Sequence, residues 1–139
     1  MPRLPKNSRP ALSGGLVAAL LAFAVGPITL GAQDQAPEGV VNYTRIDATV
    51  ACAGATPAEA MPAIKALGFA SVINFRTAEE EGANIGASQT AATAAGLNYI
   101  HIPFRAPSDE TTEAFLSAIA DGANQPAYIH CASANRVGA

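Results

Sequence analysis

The chain has 139 residues, eight Lys and Arg against eleven Asp and Glu, and two cysteines. Once the N-terminal segment described next is set aside, that length builds one small domain and not two. The acidic balance makes nucleic acid a poor partner.

Arg3, Lys6 and Arg9 precede an apolar run from Leu16 to Val25, followed by Gly26-Pro27 and small residues up to Ala32. This is the pattern of a cleavable export signal over residues 1–32. The run is shorter than the roughly 20 residues of a spanning helix, and Pro27 breaks it, so no stable membrane anchor is expected. Export implies a periplasmic or secreted protein. Cleavage leaves 107 residues with five basic and eleven acidic side chains, a formal charge of −6.

Residues 33–42 read as a linker, and residues 43–139 as the domain. Val41, Tyr43, Ile46 and Val50 predict one or two short strands. Thr56-Pro57-Ala58-Glu59 joins an N-cap, a first-turn proline and a capping-box glutamate, which predicts a helix running to Leu67 before Gly68. Pro62 lies inside it and lacks the amide that would bond back to Ala58, so an irregular first turn or a kink is expected.

Ser71 to Phe75 predicts a buried strand ending at Arg76, followed by a charged loop from Glu79 to Gly82. The alanine-rich stretch from Ala87 to Ala95, stopped by Gly96, predicts a second helix. Asn98 to Pro103 predicts a second buried strand. Asp109 to Ala120 predicts a third helix with Phe115, Leu116 and Ile119 on one face. Pro126 to His130 predicts a strand running directly into Cys131. Alternating strands and helices give an α/β fold with a mainly parallel sheet flanked by helices, and ligands of such sheets bind beyond the carboxyl ends of the strands. Only Val137-Gly138-Ala139 follow Arg136, so the domain is expected to be C-terminally incomplete, truncated after the loop.

Cys131 and Arg136 bracket Ala132, Ser133, Ala134 and Asn135. Between a strand and a helix such a loop turns its amides inward as an anion nest, and the arginine fork clamps an oxyanion at two points. The same field favours the cysteine thiolate. His130 stands where it can help order the loop. In phosphoryl transfer Cys131 would attack phosphorus while the loop amides and Arg136 hold the oxygens, with no metal and no cofactor required. A nearby carboxylic acid must protonate the leaving oxygen, and Asp109 is the best-placed candidate. Ser108, Asp109 and Glu110 equally make an ordinary cap for the third helix.

The segments Gly68-Phe69-Ala70-Ser71-Val72-Ile73-Asn74-Phe75-Arg76, Ala95-Gly96-Leu97-Asn98-Tyr99-Ile100-His101-Ile102-Pro103 and Tyr128-Ile129-His130-Cys131 resemble the bacterial β-lactamase-hydrolase-like phosphatase-like domains. These are relatives of dual-specificity and protein tyrosine phosphatases. The resemblance implies a tyrosine-phosphatase-like topology, Cys131 as nucleophile, Arg136 as phosphate clamp, and a phosphorylated protein or small molecule as substrate. Tyrosine phosphatases usually place five residues between cysteine and arginine, and here there are four. Ala134 stands where a loop glycine is common, and Val137 where Ser or Thr often follows the arginine. Asn135 tolerates a left-handed conformation, which partly answers the missing glycine. A four-residue spacing is also that of rhodanese-type sulfurtransferases, the alternative activity, and a catalytically weak anion-binding module is a third reading.

Arg76 at a strand end could bind an anion or pair with Glu79 to Glu81. His101 lies within an apolar strand pattern with no second ligand at metal spacing, so no metal site is expected. Cys52 and Cys131, in an exported protein, raise a disulfide that would switch the nucleophile off.

Overall fold

The computed structural model describes Met1 and residues 35–138. The export signal therefore lies outside the described residues, apart from Met1. No described helix is long and apolar enough to cross a membrane.

The chain runs β1 (Thr44–Arg45), β2 (Val50–Ala53), α1 (Met61–Ala66), β3 (Ser71–Asn74), α2 (Ile85–Ala94), β4 (Asn98–His101), α3 (Asp109–Ala120) and β5 (Ala127–His130). The sheet order is β1-β2-β5-β3-β4, parallel throughout except for the antiparallel β1–β2 pair. This is the expected α/β fold with a mainly parallel, helix-flanked sheet. Every residue of β3 and of β5 is buried, as strands covered on both faces must be. β4 departs from expectation: it is a sheet edge, and Asn98 and His101 are exposed.

Alternate residues along each strand feed two cores. Ala51, Ala53, Val72 and Tyr128 pack against Met61, Ile64 and Ala92 of α1 and α2. Ile73, Ala127, Ile129 and Cys131 face the other way, toward Phe115, Ala118 and Ile119 of α3. Leu116, expected on that face, is 56% exposed. The packed stripe of α3 runs through Phe115, Ala118 and Ile119 and leaves Leu116 off it.

The first helix begins irregularly, with a 3-10 turn at Ala58–Ala60 before α1, because Pro62 sits in the first turn of α1 and denies the α pattern an amide at that point. The expected capping box does not form. The buried Thr56 hydroxyl lies 2.8 Å from the Tyr128 hydroxyl and donates to the Gly54 carbonyl instead. Burial of two polar groups, Thr56 and Tyr128, is satisfied by this exchange, which outweighs an exposed cap. Desolvation pushes the Tyr128 hydroxyl far above its ordinary range, so it remains a neutral phenol.

Candidate active site

The carboxyl ends of β2, β3, β4 and β5 open into four loops on one rim of the sheet. β5 lies centrally and delivers Cys131 there. The Cys131 amide donates to the Ala53 carbonyl at 3.2 Å, so the ladder with β2 runs one residue past the strand. The side chain is 1% exposed, on the α3 face.

Beyond Cys131 the loop rests on the segment after β2. The Ala55 amide donates to the Ala132 carbonyl at 2.8 Å, and the Asn42 side-chain amide donates to the Ser133 carbonyl at 3.2 Å. A Cβ at Gly54 would stand 3.1 Å from the carbonyl oxygens of both Ala132 and Val41. Glycine is what lets the two backbones approach. The Val137 amide then closes a turn onto the Ala134 carbonyl at 3.1 Å. The left-handed residue of the loop is Ala134, with φ +72°, and not Asn135. The strained conformation thus falls on the residue that stands in the glycine's place. Asn135 to Val137 form a turn, so no helix N-terminus meets the loop among the described residues. The amides of Ala132, Asn135 and Arg136 donate to no acceptor among the described residues.

The ring of His130 turns to the opposite core, 6.0 Å from the Tyr128 ring between centroids. Neither ring nitrogen has a hydrogen-bond partner among the described residues. Burial, and then the charge of Arg76, push its pKa down to about 4 against the pull of the Cys131 and Gly54 backbone. The imidazole is neutral, and any order it lends the loop comes through packing.

Arg136 is the centre of the site's polar structure. Its Nη1 and Nη2 donate to Oε1 and Oε2 of Glu80, each at 2.7 Å, and Nη1 also donates to the carbonyls of Phe75 at 3.0 Å and Phe104 at 2.9 Å. One guanidinium therefore ties the Cys131 loop to the loops after β3 and β4. A guanidinium carries five N–H groups. Glu80 and the carbonyls take the end of the fork. The side edge, Nε–H with the second Nη2–H, has no oxygen acceptor among the described residues. Glu80 raises the Arg136 pKa most, and Cys131, close enough to add to it, raises it further.

Glu80 is itself held before Arg136 reaches it. The Thr77 amide donates to Oε1 at 2.9 Å, and Arg76 Nε lies 3.5 Å from Oε2. The hydrogen bonds from Arg136 hold the Glu80 pKa at about 2. Arg76, 5% exposed, also donates to the carbonyls of Glu81 and Gly82. It is an ion-pair partner, the second of the two roles open to it from sequence. His101 Nε2 lies 2.7 Å from the Arg76 carbonyl, a structural bond.

Asp109 is exposed in the first turn of α3, where Ser108 and Thr111 make a reciprocal capping box. The same turn of the helix and Arg136 border one apolar groove of about 270 Å³, lined also by Phe75, Phe104 and Phe115. Cys52 and Cys131 are both free thiols. The structure thus brings together Cys131, the loop residues Ala132 to Asn135 and Arg136, leaves Asp109 exposed on the helix that borders the groove without lining it, and turns His130 away. Sequence reasoning missed Glu80 as the arginine's partner, hidden in a run of three glutamates, and Gly54. A glycine directly after a strand was the available signal for the second.

Residues 43–139 match the family model described as the phosphatase-like domain of β-lactamase hydrolase-like protein. The chain is 34% identical over 100 residues to the β-lactamase hydrolase-like protein of Agrobacterium fabrum, an alignment that covers 69% of this chain and 23% of that one. Among solved structures it is similar to a DUF442 protein of Shewanella putrefaciens CN-32, with TM-score 0.65 and 23% identity over 71% of this chain and 66% of that one. It is also similar to TpbA of P. aeruginosa, solved in complex with pTyr, with TM-score 0.55 and 16% identity over 70% of this chain and 58% of that one. The chain spans less than a quarter of its curated relative and just under two thirds of the DUF442 structure. With the strand order, the placement of Cys131 at the carboxyl end of the central strand and a family match over residues 43–139, the chain belongs to the β-lactamase hydrolase-like phosphatase-like domain family.

Proposed function

We propose that this domain is a cysteine-dependent phosphomonoester hydrolase of the protein tyrosine or dual-specificity kind, working through a phosphocysteine. Cys131 Sγ attacks phosphorus, forming the S–P bond as the P–O bond to the leaving group breaks. Asp109 supplies the proton to the departing oxygen. Water then cleaves the S–P bond, releasing inorganic phosphate and restoring the thiolate. The observation that carries this reading is the guanidinium of Arg136: its end is anchored on Glu80, and Cys131 lies near enough to interact with it. An oxyanion bound there would take two parallel N–H donors, supplemented by the open loop amides.

A phosphorylated protein or small molecule is the proposed substrate, and the protein acts after export, as the segment over residues 1–32 suggests. N-terminal sequencing of protein recovered from outside the cytoplasm tests the second point. For the first, para-nitrophenyl phosphate is offered to the protein under reducing conditions without metal, beside Cys131→Ser and Arg136→Ala. Turnover lost in both variants is the expected result. A folded wild type that hydrolyses nothing would sink the proposal, and thiocyanate formed from thiosulfate and cyanide would then identify a sulfurtransferase.

A further inference from the structure

Glu80 is not one of the groups that would touch a phosphoryl oxygen, yet its carboxylate meets both arms of the Arg136 fork at 2.7 Å. We infer that Glu80 is the positioning residue of the anion site, selecting the one Arg136 orientation in which the guanidinium's side edge faces the nucleophile. The inference rests on the reading of Cys131 and Arg136 above.

Three features support a positioning role. The carboxylate is pinned independently of Arg136, by the Thr77 amide on one oxygen and Arg76 on the other. Arg76 is pinned in turn by the Glu81 and Gly82 carbonyls. The chain of contacts therefore starts in the backbone of the loop after β3 and ends at the guanidinium, with each side chain in it held at two or more points. Second, the ion pair is largely shielded from water, at 17% side-chain exposure for Arg136 and 15% for Glu80. Screening is weaker there than at an open surface, and two parallel charge-assisted bonds fix a plane as well as a distance. Third, the donors are partitioned: the end of the fork goes to Glu80 and backbone carbonyls, and Nε donates to no oxygen among the described residues, while Cys131 is near enough to interact with the guanidinium. A carboxylate on the side edge would have competed with a bound anion. On the end it leaves that edge available, and with Arg76 on the same carboxylate the trio keeps one net positive charge.

Misplacing a clamp by about 1 Å costs on the order of 100-fold in rate. Glu80→Ala is accordingly expected to lower kcat/KM for para-nitrophenyl phosphate by roughly 10–100-fold. Glu80→Gln keeps the shape but sets an NH2 against one arm of the fork, so a loss between the two is expected, and Glu80→Asp should recover part of it. A second readout is independent of turnover: the rate of Cys131 alkylation by anionic iodoacetate relative to neutral iodoacetamide. Wild type should favour the anion, and Glu80→Ala should lose that preference with its circular dichroism unchanged. If Glu80→Ala fails to fold, the comparison is made on Glu80→Gln. Equal or higher kcat/KM in the variants, or an unchanged alkylation ratio, overturns the inference. Absence of turnover in wild type overturns the phosphatase reading alone, since the alkylation ratio still reports on Glu80.

Discussion

Cys52 stands in register with Ile129 on the neighbouring parallel strand, two residues short of Cys131. The two cysteines share a sheet face, and each is near enough to feel the other, since desolvation and then Cys131 push the Cys52 thiol up. With strands about 4.8 Å apart and a rise of about 3.3 Å per residue, their Cα atoms are separated by roughly 8 Å. A disulfide wants about 4.4–6.8 Å. The switch raised by the cysteine count is thus opposed by register.

Protein folded in air and then denatured in the presence of an alkylating reagent should carry two labels per chain by intact mass. A species with none, two mass units lighter, would show that the strands shift enough to bridge. Cys52→Ser should leave activity within about twofold of wild type.

Ala134 at φ +72° carries a cost of about 1–2 kcal/mol that glycine would not, offset in part by the greater backbone freedom glycine loses on folding. Ala134→Gly should therefore stabilise the domain by about 0.5–1 kcal/mol, a rise of several degrees in Tm by calorimetry. A lower Tm would mean that the methyl group packs usefully in the loop.

Gly54 is the opposite case. Its added Cβ meets only backbone, at Ala132, Ser133 and Val41, and backbone cannot swing aside as a side chain does. Gly54→Ala should cost about 1–3 kcal/mol, as overpacking does, and should lower turnover by displacing the Ala132–Ser133 peptide. Wild-type values for both stability and rate would show that the two segments move apart freely.

His130 binds its proton less readily folded than unfolded, with the pKa lowered from 6.5 to about 4. Between those values the unfolded chain holds more protons, so stability is full above pH 6.5 and declines as pH falls toward 4. The decline is on the order of 3 kcal/mol. Glu80 adds a second, lower window, from pH 4.5 down to about 2, where its carboxylate is finally protonated. Chemical denaturation from pH 7.5 to 4 should reveal the first, and His130→Phe should flatten it. A slope unchanged by the substitution would assign it elsewhere.

Much of this architecture was legible in the residues. Period and punctuation located β3, α3 and β5 almost to the residue, because Gly68, Ser108 and Gly122 mark boundaries with local chemistry. Cys131 and Arg136 stood out as a pair bracketing a short loop after a strand, and the structure places both in that loop. The failures have a common physical character: each turned on a partner distant in sequence. Thr56 looked like a cap because its attraction to Tyr128 is tertiary. Glu80 looked like one charge among three because nothing local says which of them faces Arg136. The edge position of β4 is decided by strand order, which hydropathy does not encode.

The central place of β5 has one more consequence, for the order in which the domain can assemble. Val50 on β2 and Ser71 on β3 both pair with Ala127, so the two halves of the sheet have no shared neighbour until the final described strand inserts between them. Contacts this far apart along the chain form slowly, since a long loop must close before they repay it. During synthesis β2 and β3 would each present an unsatisfied inner edge until the segment bearing Cys131 emerges. Completion of the sheet and placement of the Cys131 loop are then a single event, so a chain that has not yet folded holds none of the geometry described for Cys131 and Arg136.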